Sequence, residues 1–503
     1  MTGQLLLGVD IGTASSKGVL TTTDGQVVAR ASQPHQVSTP RPGWVEHDAD
    51  MWWSDFSSIV RQLVSGIDPG RLAGIGVSGI GPCLLPADQA GTPLRPAILY
   101  GVDTRATAEI DELNEELGAE LVLRRCGSPL TTQAVGPKLR WLARHEPAVY
   151  ARTDLLLMAS SFLVHRLTGR YLLDHHSASQ CQPMYDIHAR RWDPKWSVQV
   201  APGLDLPELA WPGEVVGTVT AEAAGRTGLP AGLPVTAGTV DAWAEAVSVG
   251  VRADGDTMVM YGTTMFLVQA AQQPSPHPGL WNTVGVDPGS YTLAAGMATS
   301  GAITDWLRRL TGGNHGDYAQ LVEAAGEVPA GSRGLLMLPY FAGERTPLFD
   351  PDARGVLAGL TLRHGPAEVY RSALEATAYG VRHNLEAMAG ATSGRPRLVA
   401  VGGGTQGGLW TQIVSDVTGL DQLLPTETVG ACLGDALLAG QAVGAVTDPA
   451  AWNPARARIT PDPRHRETYD RYYPRYRALY EATREVAHFC AREQHKEVQE
   501  EPG

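Results

Sequence analysis

Apolar residues near the start of the chain follow two different periods, and each change of period marks an element. The run Leu5-Leu6-Leu7 opens a strand expected over residues 5–9, a second is expected over 18–23, and after the Asp24-Gly25 turn a third over 27–31. Beyond Asp48 the apolar residues Trp52, Phe56, Ile59, Val60, Leu63, Val64 and Ile67 recur at three- and four-residue steps, which predicts an amphipathic helix with Asp48 as its N-cap. A buried strand over 73–77 follows. The second half repeats the theme: a hairpin over 257–269, a strand near 291–295, a long helix over 366–388, and a strand over 397–401 that runs into Gly402-Gly403-Gly404.

A strand meander, then a helix, then a strand is the order expected of a ribonuclease H-like α/β domain. At 503 residues the chain exceeds what one core holds, so two domains of roughly 240 residues each are expected. The boundary is placed near Val249, because Pro234-Val235-Thr236-Ala237-Gly238 reads as a strand of the first domain and residues 240–247 as a helix leaving it. The expected division is 1–249, 250–490, and a polar, Glu-rich tail at 491–503 that frays.

Apolar content of 43% with 18% charged residues is that of a soluble globular protein. A net charge of −13 argues against nucleic acid or an anionic membrane as partner. Cys83, Cys126, Cys181, Cys432 and Cys490 are odd in number, scattered and without a CxxC pair, the pattern of reduced cytoplasmic thiols and not of a zinc site. No apolar run reaches bilayer length and no signal segment precedes the first strand, so a cytoplasmic location is expected. The sequence leaves oligomeric state, including a homodimer, open.

Two turns carry candidate chemistry. The first lies in Gly8-Val9-Asp10-Ile11-Gly12-Thr13-Ala14-Ser15-Ser16-Lys17-Gly18, the second in Tyr261-Gly262-Thr263-Thr264; both place glycine and hydroxyl residues between β-type segments, where N–H and O–H groups converge on an anion. Either alone reads as an ordinary hairpin. Asp10 and Lys17 shift the balance in the first: a carboxylate at the end of a buried strand suits Mg²⁺, and a lysine is a point charge for phosphate. Gly74-Ile75-Gly76-Val77-Ser78-Gly79 fits the dinucleotide pattern, but no helix opens after it, so NAD is rejected. His175-His176 reads as a polar loop, and Trp52-Trp53 as helix packing.

The first turn, Gly343-Glu344-Arg345-Thr346-Pro347, Pro42-Gly43-Trp44-Val45-Glu46, Leu94-Arg95-Pro96-Ala97-Ile98-Leu99, Pro137-Lys138-Leu139-Arg140-Trp141 and the segment from Gly402 to Leu424 together resemble the FGGY carbohydrate kinases, nearest the xylulokinase branch. The resemblance implies an α/β fold of two ribonuclease H-like, actin-like ATPase domains with an interdomain cleft, ATP and Mg²⁺ held mainly by the second domain and a small sugar by the first. It makes Asp241, in Ala237-Gly238-Thr239-Val240-Asp241-Ala242, the general base that takes the proton of the attacking hydroxyl. On local sequence the same Asp241 equally caps a helix beginning near Ala242. Gly403, Gly404 and Thr405 match the adenosine loop; Gly12, Thr13, Ser15, Ser16 and Lys17 with Gly262, Thr263 and Thr264 become phosphate contacts, and Asp10 the metal residue. Arg345 reads as the partner of Glu344, and Trp410 and Gln412 as core and surface.

Where xylulokinases carry Gln-Met-His-Gly after the strand over 73–77, this chain has Ile80-Gly81-Pro82-Cys83, which offers no donor comparable to imidazole. Gly81, Pro82 and Asp103 are the expected sugar contacts beside Asp241, with Asp103 holding a hydroxyl pair. The altered loop predicts a small ketose or polyol other than D-xylulose as the favoured acceptor, with a sugar acid or a noncatalytic ATP- and sugar-binding role as alternatives.

Overall fold

The structure, a computed structural model, describes residues 3–310, 318–394 and 396–500. The chain packs into two units: residues 1–253, 270–293 and 429–454 form the first, and 254–269, 294–428 and 455–503 the second. This differs from a single cut near Val249, because the segment 429–454 returns to the first unit.

In the first unit the expected meander is present as Leu5–Ile11, Ser15–Thr22 and Val27–Pro34, each longer than its apolar run because pairing carries the strands into the polar turn residues. Leu72–Gly79 lies parallel to Leu5–Ile11 on the other side, and the sheet continues through Pro234–Thr236 to Val215–Thr218. The short strand Thr239–Val240 also pairs with Leu72–Gly79. Helix Ala49–Val64 begins where Asp48 accepts a hydrogen bond from the Asp50 N–H at 2.9 Å, and buries Trp52, Phe56, Ile59 and Leu63. Trp52 is fully buried and Trp53 stacks on Phe56, so the tryptophan pair is packing as read.

A helix from late in the chain, Ala431–Ala442, lies on this sheet and explains one glycine of the dinucleotide-like run and one of the first turn. A Cβ on Gly76 would overlap the Asp435 carbonyl, and one on Gly8 would overlap the Cys432 carbonyl. Gly434 in turn lets the same helix seat against Ala244 of helix Asp241–Ser248. Backbone therefore meets backbone on both sides, which side chains would prevent.

In the second unit, Asp256–Tyr261 and Met265–Ala271 form the expected hairpin. Arg397–Val401 runs parallel to Asp256–Tyr261, and Gln422–Pro425 and Ala455–Ile459 extend the sheet. Helix Pro366–Met388 covers the residues its periodicity predicts. Helix Pro463–Glu500 continues through the segment expected to fray as far as Glu500; residues 501–503 of that expected tail lie outside the described residues. Among the described residues no helix is long and apolar enough to cross a membrane. All five cysteines are free thiols, four of them buried.

Gly76→Ala should force the helix Ala431–Ala442 off its seat at a cost of about 1–3 kcal/mol, the range for overpacking. Differential scanning calorimetry should show a lower midpoint for the transition of the first unit. An unchanged profile would mean that the contact yields without strain.

Candidate active site

The acidic part of the candidate site is set by strand register. Asp10 pairs with Lys17 on one neighbouring strand and with Ser78 on the other, and Ser78 pairs in turn with Thr239, two residues before Asp241. Cross-strand partners share a face, so Asp10, Lys17 and Ser78 form one row. Asp241 opens the helix Asp241–Ser248, and its Oδ1 accepts the Ala242 N–H at 2.7 Å. The N-cap itself is Val240, so Asp241 is the first helical residue, not the cap that local sequence suggested.

Burial raises the pKa values of these carboxyls, and the Asp10 charge adds to the rise at Asp241 and Glu245. Burial pushes Asp10 up to about 6, even against the Ser78 hydrogen bond and the charge of Lys17. Burial and the Asp10 charge push Asp241 well above the ordinary carboxylate range, and Glu245 up to about 7. Glu245 lies four residues after Asp241 on the same helix, hence on the same face; that spacing was the signal by which it could have been found in the sequence. A dication would relieve this repulsion. Among the described residues no group of three or more His, Cys, Asp or Glu could hold a metal ion by itself.

The first turn divides its predicted residues. The strand Ser15–Thr22 alternates, so Lys17 is exposed while Ser16 is buried and donates to Asp55 Oδ2 at 2.9 Å. Ser16 therefore turns its hydroxyl toward the helix Ala49–Val64. Gly12 and Ser15 close the turn through a 3.1 Å backbone hydrogen bond, and Thr13 Oγ1 lies 3.1 Å from the Tyr100 hydroxyl. His35 bridges Asp55 at 2.8 Å and the Gly12 carbonyl at 2.9 Å, a brace that the sequence did not reveal because its three parts lie on separate elements.

Asp103 is buried and bound by Arg105 through Nε at 2.9 Å and Nη2 at 2.7 Å, while the Val45 N–H donates to it at 2.7 Å. Its oxygens accept from protein donors, and it anchors Arg105. His175 and His176 are not a polar loop: they begin the helix His175–Ser179, and His176 is fully buried, bonded to the Val284 carbonyl at 2.8 Å and packed at a tilt against Trp243. Burial drives its pKa down to about 3. Gly81 meets Val240, the residue before Asp241, and Ile80, Pro82 and Cys83 around it are buried. Buried Lys138, which donates to the Ala134 carbonyl at 3.3 Å, is lowered to about 8 by desolvation.

The second unit brings its two glycine loops together. Gly262, Thr263, Gly403 and Gly404 line one cavity of about 420 Å³, with Tyr370, Leu374, Leu409 and Trp410 as its apolar wall. The Gly262 carbonyl accepts the Gly301 N–H at 3.0 Å, which ties the hairpin turn to helix Gly301–Leu310. Gly402 has φ +91° and a Cβ there would press on the Tyr261 carbonyl, while Gly403 faces open space. Thr405 is buried, and its hydroxyl donates to the Gly402 carbonyl at 2.8 Å. Trp410 donates to Thr377 Oγ1 at 2.9 Å and still lines the cavity, so it is more than core. Glu344 accepts the backbone N–H groups of Ala298 and Arg345, so its carboxylate is held by backbone and not only by the Arg345 charge.

Two mixed α/β units, one with buried carboxylates beside a glycine and hydroxyl turn and the other with a glycine-lined cavity, define a phosphotransferase of the actin-like ATPase fold. The chain belongs to the FGGY family of carbohydrate kinases, matching its N-terminal domain over residues 5–248 and its C-terminal domain over 257–443. It is 31% identical to the xylulose kinase of Klebsiella pneumoniae, over 87% of this chain and 90% of that one. It is also 31% identical to glycerol kinase 2 of Streptomyces coelicolor, over 88% and 89% of the two chains. The crystal structure of the xylulose kinase from Rhodospirillum rubrum superposes with a TM-score of 0.89 at 33% identity, covering 96% of this chain and all of that one. The protein is thus an ATP-dependent kinase that phosphorylates a hydroxyl of a small carbohydrate.

The raised Glu245 gives a test of this electrostatic picture. A carboxyl whose pKa is higher folded than unfolded binds more protons in the folded state, so its contribution to stability falls as pH rises from about 4.5 to about 7. In metal-free buffer Glu245→Gln should therefore gain stability over wild type on the order of 2 kcal/mol at pH 8, with the gain vanishing near the unfolded pKa. Urea titrations across that range check it; a gain independent of pH would contradict the assignment.

Proposed function

We propose that Asp241 is the general base of the phosphoryl transfer, that Asp10 organises Mg²⁺ at the phosphates, and that the favoured acceptor is a small ketose or polyol other than D-xylulose. The observation that carries the base assignment is the position of Asp241: half-buried on the first turn of a helix, near Asp10 and Glu245. A carboxylate with raised pKa is a stronger proton acceptor, and a cation bound at Asp10 would keep it ionised. Asp241 takes the proton of the acceptor hydroxyl as its oxygen attacks the γ-phosphorus. Mg²⁺, when bound, offsets charge on the phosphate oxygens, and Lys17 supports it as a point charge.

In the second unit the Gly403 and Gly404 backbone and the apolar wall of Tyr370, Leu374 and Trp410 suit a planar base, and Gly262 and Thr263 suit the phosphates. Gly12, Thr13 and Ser15 remain the backbone and hydroxyl contacts proposed from the first turn. Cytoplasmic location and the reading of residues 1–249 as the sugar domain belong to the same proposal.

The acceptor reading rests on Ile80, Gly81 and Pro82, which give an apolar surface next to Val240, and on the closure of Asp103 by Arg105. Relatives of equal identity named for xylulose and for glycerol leave the acceptor to such residues. A contact of this kind weighs on the order of 1–3 kcal/mol.

Asp241→Asn should lower turnover by roughly 10²- to 10⁴-fold while leaving ATP affinity near wild type. Near wild-type turnover at saturating acceptor would remove Asp241 from the role. In a coupled ADP-release assay over ketoses, polyols and sugar acids, D-xylulose should fall below another ketose or polyol in kcat/KM; if D-xylulose leads by a wide margin, the reading of the altered loop is wrong.

A further inference from the structure

Asp435 sits in the middle of the helix Ala431–Ala442 and is completely buried. Its backbone rests on Gly76, a seat that small residues fill, as Gly434 and Ala436 do on either side. Packing alone would be met by alanine, and aspartate is a poor residue for a helix interior. The carboxyl must therefore be explained by what it touches. Ser78 Oγ lies 2.7 Å from Asp435 Oδ2 and 3.1 Å from Asp10 Oδ1.

A serine hydroxyl carries one proton, and an ionised carboxylate only accepts. One hydroxyl cannot satisfy two anions, so one of the two acids contributes a proton to the chain. Asp10 has Lys17 as its cross-strand neighbour and keeps some exposure. Asp435 Oδ1 finds no hydrogen-bond partner among the described residues, and an anion there would be a buried charge without compensation. The proton belongs on Asp435.

We propose that Asp435 is a positioning residue for the phosphoryl transfer: as a neutral acid it donates through Oδ2 to Ser78 Oγ, and the Ser78 hydroxyl donates to Asp10 Oδ1. The direction of donation fixes one oxygen of Asp10 as an acceptor and turns the carboxylate so that Oδ2 is left for a ligand. Ser78 lies on a central strand, and Asp435 on a helix seated backbone to backbone on that strand, so the chain holds Asp10 without a flexible part. The inference rests on the reading of Asp10 as the Mg²⁺ residue.

The test compares Asp435→Asn, Asp435→Ala, Ser78→Ala and Asp10→Ala. An asparagine amide replaces the donor, so Asp435→Asn should stay within about threefold of wild type in Mg²⁺ activation constant and in calorimetric affinity for Mg-ADP. Asp435→Ala and Ser78→Ala should each weaken both by about tenfold, the weight of one hydrogen bond to a charged group, with the acceptor KM unmoved. The double variant carrying Asp435→Ala and Ser78→Ala should be no worse than either single one. Infrared difference spectra should show the carbonyl band of a neutral carboxylic acid in wild type and lose it in Asp435→Asn.

Asparagine behaving like alanine, additive losses in the double variant, or no such band would overturn the proposal. Should Asp435→Ala fail to fold, Ser78→Ala and Asp435→Asn decide the matter. If Asp10→Ala leaves the Mg²⁺ constant unchanged, the metal reading of Asp10 fails, and with it the positioning role, while the infrared band still judges the proton on Asp435.

Discussion

The first unit depends on one close approach. Helix Ala431–Ala442 reaches the sheet at Gly8 and Gly76 and the helix Asp241–Ser248 at Gly434, in each case with backbone against backbone. Interiors are close-packed and resist even one added methylene. Three absent side chains thus set the distance at which Asp10, Ser78, Asp241 and Asp435 stand. The returning segment 429–454 is no appendage of the second half but the layer that completes the first unit.

That seat is also the source of the electrostatics. Bringing a helix so near the sheet excludes water; that loss of solvation raises the pKa of all four carboxyls, and the Asp10 charge adds to the rise at Asp241, Glu245 and Asp435. Such a region is costly in the absence of a cation and suited to one that arrives with a nucleotide. Local strain toward charge is expected where phosphates are handled, and the rest of the core is conventional: Leu5, Leu7, Val9, Ile75 and Val77 are buried and apolar.

The second unit solves a different problem with the same residue type. Here the glycines open space instead of closing it: Gly403 has nothing near its absent Cβ, and with Gly404, Gly262 and Thr263 it lines the cavity. A planar, uncharged base needs apolar walls and an accessible backbone. Charged side chains are not among the residues that line it.

Periodicity by itself determined the regular elements. The helix Pro366–Met388, the hairpin of the second unit and the meander of the first follow from patterns of period 3.6 or 2 over enough residues to bury a face. Short motifs likewise marked Asp10 and the Gly262 turn as candidates, because their residue types suit phosphate chemistry, while Asp241 and the Gly403 turn were marked by the family resemblance. Which way a polar side chain turns was not legible. Ser16, Asp103 and Thr405 looked like ligand contacts, and each hydrogen-bonds within the protein, through strand alternation, an arginine two residues away and a neighbouring carbonyl. His35, Asp55 and Asp435 carried no motif, and Ser78 stood only in the rejected dinucleotide-like run, yet they brace the site. Their partners are distant in the chain, and hydrogen bonds between such residues exist only once register and helix seating have brought them together.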